Sequence, residues 1–245
     1  ALVDLDLHGG DLGLFLDLHA SQGLKHLSKD ISRLDETIVR SSLAKHSSGL
    51  HLLVSGYEGF DEVEPTTGST MRVFGLLRSM HRHVFVDCGH VLEPAVKEAL
   101  ACSDQIIVVT TLSLPAIRRT KRLLDGLGAA QHPVGKVAVV VNRYVNGQKE
   151  LLSETESMLG VRMAGLIPND YETASEAIDH GKPLTIMASR TTIAQWYLRG
   201  TDQLIAEKTG INGTGSGNEQ NRKASFFGRY LSSLGLETRG KPSLV

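Results

Sequence analysis

The chain has 245 residues, enough for one large α/β domain or two small ones, with a hydrophobic core that needs no disulfide or metal to hold it. Hydrophobic residues make up 41% and charged residues 22% of the chain, which excludes a wholly disordered or fibrous protein. The formal net charge of −1 provides no overall field for nucleic acid, so no specific nucleic-acid partner is expected.

The cysteines and the N-terminal residues indicate the cellular compartment. Cys88 and Cys102 lie in apolar surroundings and are typical of reduced core thiols in a cytosolic protein. Residues 1–18 are apolar but contain four aspartates, which the core of a signal peptide would not tolerate. No apolar run approaches the roughly 18 residues of a membrane span, so the sequence predicts a cytoplasmic protein.

Short β-branched runs alternate with amphipathic segments along the chain. In chain order the sequence predicts a strand at 1–7, a helix at 34–43, a strand at 50–54, a helix at 67–80, a strand at 83–87, a helix at 91–101, a strand at 105–110, a helix at 113–127, a strand at 136–142, a helix at 149–159, a strand at 162–167, a helix at 171–180 and a last long helix around 193–205. Residues 12–18 do not begin like a helix, and the strands at 105–110 and 136–142 are apolar enough to be buried. The alternation indicates βαβ units and a mainly parallel sheet with helices on both faces.

Acidic residues follow two of these strands, at the carboxyl ends where sheets of this kind bind their ligands. Asp4 and Asp6 end the first strand, and Asp87 followed by Gly89 ends the strand at 83–87, in the Walker B pattern of an apolar strand closing on an acid. Carboxylate oxygens suit Mg²⁺ or can orient an attacking water. Taken singly, such an aspartate is more often a turn former or a helix cap, but two such motifs in one α/β chain favour a nucleotide site.

The glycines do not fit a dinucleotide-binding loop. Gly9, Gly10 and Gly13 follow the first strand, but their spacing is G-G-x-x-G instead of G-x-G-x-x-G. The glycines at 213–217 follow no strand. The ten histidines show no H-x-x-x-H pair with a cysteine or acid at metal-ligand spacing, so they are interpreted as surface residues.

Several segments together resemble the MinD/ParA-type ATPases, which carry a deviant Walker A motif, and among these the CpaE/TadZ branch of Flp/Tad pilus assembly. The residues that carry the resemblance are 1–18, 85–87, 107–110, 112–124, 140–144, 167–171, 177–178 and 181–184. They extend over about residues 1–207 in the family's order. The resemblance implies an α/β, P-loop NTPase-like (SIMIBI-type) fold.

The resemblance also implies a site for ATP and Mg²⁺ at the two acidic strand ends described above. Asp6 would be the catalytic residue that orients the attacking water. Asp87 and Asp4 would support the Mg²⁺ shell. Gly89 would begin the loop that senses the γ-phosphate.

On the adenine side the resemblance implies residues at the ends of two later strands. Asn142, next to Arg143, would hydrogen-bond the base, and Pro168 with its neighbour Asn169 would line the base pocket. From the residues alone, Asn142 could equally cap the next turn and Pro168 could simply stop a strand.

The family's phosphate-binding loop has no counterpart in this sequence. In the family the first strand leads into K-G-G-x-G-x-[ST], and no segment of the 245 residues matches it. We therefore expect an N-terminally truncated piece of a longer protein, without the first strand and P-loop, or a sheet that closes differently. Loss of that central strand would leave two strand edges unpaired, and this chain alone should bind ATP poorly and not hydrolyse it.

The predicted organisation is an ATPase-type domain at 1–208, a flexible linker at 209–223 and an amphipathic tail at 224–245. The apolar face and basic flanks of residues 224–235 suit docking on a partner or an anionic membrane surface, or the segment folds back or stays disordered. By resemblance the intact protein is an ATP-dependent homodimer that positions pilus secretion machinery, in the cytoplasm or peripherally at the inner membrane or cell pole. The alternatives are a non-catalytic localisation scaffold of the same fold and a partitioning or positioning ATPase of ParA or MinD type.

Overall fold

The computed structural model describes residues 1–56, 64–130 and 136–209. The chain forms two compact units, one of residues 1–103 with 174–187 and one of residues 104–173 with the chain from 188 onward. The predicted linker, beyond its first residue, and the predicted tail lie outside the described residues. The predicted single domain at 1–208 stays a prediction.

The first unit contains a four-stranded sheet. Its strands are β1 (Leu2–Asp4), β2 (Ala44–Lys45), β3 (His51–Leu53) and β4 (Phe85–Asp87), in the spatial order β2-β3-β1-β4. β1 pairs in parallel with β3 and β4, and β2 pairs antiparallel with β3. β1 is shorter than the predicted 1–7, because the chain leaves the ladder at Asp4. The sequence does not predict β2, because two residues are too few to show strand alternation.

Helices cover the sheet of the first unit. They are α1 (Leu12–Phe15), α2 (Leu24–Leu27), α3 (Glu36–Ser41), α4 (Thr67–Met80) and α5 (Pro94–Cys102). α4 has the bounds that its apolar period predicts, and Thr66 caps it by accepting the Ser69 N–H at 3.1 Å. Val73 and Leu77 on its inner face are fully buried in one cluster with Val3 of β1. Burying a side chain such as Leu77 stabilises the fold by about 2 kcal/mol.

The two one-turn helices show where sequence patterns fail. The prediction that residues 12–18 do not begin like a helix is wrong at α1, and α2 was not predicted. A helix of four residues is too short to show a 3.6-residue apolar period in the sequence. Both helices are instead fixed by hydrogen bonds that they donate to acceptors elsewhere in the unit. The Leu12 N–H donates to the Asp4 carboxylate at 3.3 Å, and the Leu24 N–H donates to the Val54 carbonyl at 2.9 Å.

The second unit contains a three-stranded parallel sheet, β5 (Ile106–Thr110), β6 (Val137–Tyr144) and β7 (Met163–Pro168), in that spatial order. The helices after β5 are α6 (Leu114–Ala129), α7 (Lys149–Leu159), α8 (Tyr171–Asp179), α9 (Leu184–Met187) and α10 (Thr192–Thr209), of which residues 174–187 belong to the first unit. α6 continues through Gly128, where the sequence predicts a stop. β6 is longer than predicted, and its residues 138–141 are buried as expected.

Parallel pairing predominates in both sheets, as expected for a P-loop NTPase-like α/β fold. The described strands nevertheless form two sheets, in which β4 and β5 are each a terminal strand. Three large apolar side chains on these two strands are exposed to solvent: Ile107 is 45%, Val109 59% and Phe85 55% exposed. The prediction of a fully buried strand at 105–110 is therefore wrong, because only one face of β5 is covered.

Both cysteines are free thiols. Cys88 is half-buried, directly after β4. Cys102 is exposed at the last residue of α5, so the prediction that it is a core residue is wrong.

Candidate functional site

The carboxyl ends of β1 and β4 lie side by side. The strands run parallel with Asp4 directly opposite Asp87, and the Leu5 N–H donates to the Asp87 carbonyl at 2.8 Å. Asp6 follows two residues beyond Asp4, and its backbone N–H donates to the Asp4 carboxylate. The structure therefore brings Asp4, Asp6 and Asp87 together at one edge of the sheet, the acidic edge.

Asp4 is buried at the base of this edge, with 1% of its surface exposed. Its Oδ1 accepts the Asp6 N–H at 3.2 Å, and its Oδ2 accepts the Leu12 N–H at 3.3 Å. Gly10 covers the same carboxylate so closely that a Cβ at residue 10 would lie 2.5 Å from Oδ2. Burial raises the pKa of Asp4 to about 6, although the two backbone hydrogen bonds lower it, and the charges of Asp87 and Asp6 raise it further. Both oxygens of Asp4 thus serve to hold the loop after β1.

Asp6 is more accessible than Asp4, with 20% of its side chain exposed. Its Oδ1 accepts the backbone N–H groups of His8 at 3.2 Å and Gly9 at 3.1 Å, which fix the carboxylate by Asx-type turns. Its Oδ2 lies 4.0 Å from the His90 Nδ1. One carboxylate oxygen is therefore held by the backbone while the other faces the loop after β4.

Gly89 joins the two acidic strand ends. Its N–H donates to the Asp87 Oδ1 at 3.0 Å, and its φ of +58° is in the left-handed region that favours glycine. A Cβ at this position would lie 2.6 Å from the Asp6 Oδ2. Only glycine allows the loop after β4 to approach Asp6 in this way.

An ion pair between His8 and Glu93 connects the same two loops, and the sequence did not predict it. The His8 Nε2 lies 2.6 Å from the Glu93 Oε1, and this hydrogen bond, with the charge of Glu93, raises the pKa of His8. The interpretation of the histidines as surface residues fits the 59% exposure of this side chain but misses its partner, and it is wrong for His46, which is buried. The one sequence feature that could have indicated this pair is that His8 and Glu93 each follow a strand that ends in an acid. The two residues are 85 positions apart, so no local sequence pattern connects them.

Cys88 lies between Asp87 and Gly89, in the loop that leaves β4. Burial raises the pKa of its thiol to about 11, and the neighbouring Asp87 charge adds to the shift. The thiol is therefore protonated and unreactive at neutral pH in this arrangement of the loop.

In the second unit, the residues predicted for the adenine side lie at the ends of β6 and β7. Tyr144 is opposite Pro168, and the Asn169 N–H donates to the Tyr144 carbonyl at 2.9 Å. The Asn142 Oδ1 accepts the Arg143 N–H at 2.8 Å, and Arg143 has a φ of +58° where the ladder is irregular. This bond reaches the next residue and not two residues on, as a turn cap would. Both the capping alternative and the role of Asn142 toward adenine stay predictions.

The sequence is similar to proteins named MinD. It is 29% identical to the septum site-determining protein MinD of Bacillus subtilis over 115 residues, which are 45% of this chain and 42% of that protein. It is 23% identical to a Tupiella akineta protein named MinD over 195 residues, 77% of this chain and 61% of that protein. The chain thus spans about two fifths to three fifths of these relatives. No family model matches the chain.

Solved structures decide the fold. A ParA family ATPase from Chlorobium tepidum superposes with a TM-score of 0.73 and 23% identity, over 80% of this chain and 82% of that chain. The chain has the MinD/ParA fold. MinD of Pyrococcus horikoshii, complexed with Mg-ADP, matches with a TM-score of 0.66 and 18% identity over 86% of both chains. MinD in the Aquifex aeolicus MinC:MinD complex matches with a TM-score of 0.64 and 16% identity, over 89% of this chain and 85% of that chain.

In this MinD/ParA-type fold the acidic edge fits Mg²⁺ only in part. Within residues 1–56, 64–130 and 136–209 no group of three or more histidine, cysteine or acidic side chains is spaced to hold a metal. Mg²⁺ bound to a nucleotide needs only one or two carboxylates, because phosphates and waters complete its shell. Asp87 is exposed and suits this role, whereas the burial and the two N–H contacts of Asp4 disfavour the predicted role of Asp4 as a ligand.

Proposed function

We propose that this chain is the ATPase-type part of a positioning or partitioning protein of MinD or ParA type, with ATP and Mg²⁺ as cofactors and a homodimer as its active form. One observation carries the proposal. At the ends of β1 and β4, Gly89 donates its N–H to Asp87 and lies against Asp6 closely enough to exclude any side chain. A loop tied to both acids can respond to a ligand that alters either of them.

Each residue at the acidic edge has a distinct proposed role. Asp6, held by two backbone N–H groups, orients the attacking water through its second oxygen. Asp87 holds Mg²⁺, which would stabilise the charge of the phosphates. Asp4 holds the loop after β1 in its conformation by accepting two backbone N–H groups. Gly89 allows the loop after β4 to move when the γ-phosphate is present or lost.

In the second unit we propose that Asn142 and Arg143, with Pro168 and Asn169, bind the adenine. The proposal is supported by their position at the carboxyl ends of β6 and β7, where parallel sheets bind ligands. The left-handed backbone of Arg143 is a strained feature of the kind that recurs at binding sites.

The phosphate cradle is proposed to come from a strand and loop outside these 245 residues. β4 is the terminal strand of its sheet among the described residues, with Phe85 open beside it, so it could accept a further parallel strand. The terminal strand β5, with its open Ile107 and Val109, could accept a strand in the same way. Each backbone hydrogen bond formed would contribute about 1 kcal/mol. Without the loop, this chain alone is expected to bind ATP weakly and not to hydrolyse it.

The experiment compares this chain with a form extended by the codons that precede Ala1. Binding of Mg-ATP is measured by calorimetry and hydrolysis by phosphate release. The extended form should hydrolyse ATP, and Asp6→Asn should lower the rate by at least about a hundredfold. Asp11→Asn is the matched control, because Asp11 is an exposed acid of the same loop with no side-chain cap bond.

Two results would contradict the proposal in different ways. Turnover by the 245-residue chain that disappears in Asp6→Asn would show that no further phosphate loop is needed. An extended form that neither binds nor hydrolyses ATP would favour the second candidate, a non-catalytic scaffold of the same fold. That candidate is supported by Asp4, whose two oxygens are already used by the backbone.

We further propose, from the resemblance to the CpaE/TadZ branch, that the intact protein positions Flp/Tad pilus machinery from the cytoplasmic side of the inner membrane or cell pole. Among the described residues no helix is long and apolar enough to cross a bilayer. Residues 224–245 are the proposed docking segment. Deleting them should disperse a fluorescently tagged protein from its site without changing its circular dichroism, and an unchanged location would refute the docking role.

A further inference from the structure

The exposed face of α6 carries a cluster of cations. Arg118, Arg119, Lys121 and Arg122 are all exposed. Lys121 pairs with Asp125 at 3.0 Å. Over the described part of the chain, no carboxylate forms an ion pair with any of the three arginines. Three guanidinium groups on two turns of one helix therefore have no anionic partner among residues 1–56, 64–130 and 136–209.

Two clefts flank the ridge formed by Arg118 and Arg122, which are one helical turn apart. The first cleft, of about 240 Å³, is lined by Ile117, Arg118, Lys121, Arg122 and Met158. The second, of about 280 Å³, is lined by Leu114, Pro115, Arg118, Arg119 and Arg122. Both clefts thus combine arginine with an aliphatic surface, and the first is bordered by α7 through Met158.

Two of the large apolar side chains on this surface are more than half exposed to solvent. Leu114 is 56% and Met158 54% exposed, whereas Ile117 between them is 4% exposed and closes the floor of the first cleft. Large apolar side chains beside unpaired charges indicate a surface that a partner covers. Methionine adapts its shape to different apolar groups, which suits such a contact.

We propose that this cationic surface, formed by residues 114–122 of α6 together with Met158, binds an acidic segment of a partner protein. The segment carries aliphatic side chains between its carboxylates. Guanidinium groups bind carboxylates in a bidentate geometry, and arginine is enriched at protein interfaces. An aliphatic side chain of the segment enters a cleft while the neighbouring carboxylates contact Arg118 and Arg122. The surface lies within the second unit.

The same observations disfavour nucleic acid as the occupant. A phosphate backbone would pair with the arginines but would leave Leu114 and Met158 exposed. Single strands are bound by stacking on aromatic side chains, and neither α6 nor α7 contains an aromatic residue. A duplex lying across Met158 would also meet the exposed Glu154, one helical turn before it on α7.

The test uses the full chain and a short fluorescein-labelled peptide in which leucines are spaced among glutamates. Binding is followed by fluorescence anisotropy, with a short DNA duplex as a second probe. The double variant Arg118→Glu/Arg122→Glu should weaken peptide binding by at least about tenfold, because two attractive contacts become repulsive. Lys149→Glu/Arg190→Glu makes the same charge change at exposed residues of the same unit and should stay within about twofold of the wild type.

Further arms separate specific docking from a general charge effect. Replacing the leucines of the peptide by serine, or changing Met158→Ser in the protein, should each weaken binding severalfold while raising the salt dependence of what remains. Equal losses in both charge-reversed variants, tighter binding of the DNA duplex than of the peptide, or no binding of either probe would each overturn the proposal. All the substituted residues are exposed, so thermal unfolding of the variants should match that of the wild type.

Discussion

Gly89→Ala is the most direct perturbation of the acidic edge. The added Cβ would lie 2.6 Å from the Asp6 Oδ2 and 2.9 Å from the Asp6 Cβ, so the whole Asp6 side chain must move. Moving it weakens the hydrogen bonds from the His8 and Gly9 N–H groups, each worth about 1.5 kcal/mol when the acceptor is charged. The φ of +58° costs alanine about 1 kcal/mol more. Because water reaches the partly exposed Asp6, we expect a total loss of about 3 kcal/mol.

Urea unfolding followed by circular dichroism measures this loss. Gly75→Ala is the matched control: Gly75 lies inside α4, and nothing is within 4 Å of the place where the added methyl carbon would lie, so alanine should raise the free energy of unfolding by about 0.5–1 kcal/mol. Gly89→Asn separates the two causes, because asparagine tolerates a left-handed backbone but retains the Cβ. A Gly89→Ala protein within about 0.5 kcal/mol of the wild type, or full recovery in Gly89→Asn, would refute the proposed close packing of Gly89 on Asp6.

Three further changes test the same unit. Gly10→Ala places a Cβ 2.7 Å from the buried Ser55 Oγ as well as against Asp4, and should cost at least about 2 kcal/mol in urea unfolding, whereas Gly126→Ala on α6 meets nothing and should not destabilise. The pKa of Asp4 is about 6 in the folded state against an ordinary value of 3.8, so its contribution is fully present below pH about 4 and is lost as the pH rises to about 6. The loss should reach at most about 3 kcal/mol. Asp4→Asn should remove this pH dependence from the variant's own profile, so the wild-type minus variant difference should carry it; a difference that does not change with pH would contradict burial of the carboxylate. Leu77→Ala, at a fully buried position, should cost about 3 kcal/mol, while Leu14→Ala at a 69% exposed position should change stability by less than about 0.5 kcal/mol; similar losses at both sites would contradict the assigned core.

The sequence predicts the long elements of this fold well, because each carries its own repeating signal. α4 and α7 have the bounds that their apolar periods predict, and the apolar core of β6 identifies it as a buried strand. The one-turn helix α1 could not be predicted, because its position depends on the hydrogen bond from Leu12 to Asp4. β5 shows the converse failure: its composition indicates burial on both faces, but burial depends on which strands and helices cover it.

The candidate site was predictable to the extent that strand ends carry it. The position of Asp4 opposite Asp87 follows from placing two acidic strand ends in one parallel sheet. The sequence could not distinguish the three acids, however, because the difference between a buried Asp4 and an exposed Asp87 depends on packing. The His8–Glu93 pair was missed for the same reason, since its partners meet only when two loops are folded.

The position of Cys88 makes the loop after β4 observable without any added label. Its thiol ionises only at a pKa of about 11 while the loop lies in its present place. If nucleotide or a partner draws the loop away from β4, that residue should begin to react with alkylating reagents at neutral pH, whereas the exposed Cys102 reacts throughout and serves as an internal reference. A mass-spectrometric time course of the two modifications would then report each opening of the loop as a covalent footprint.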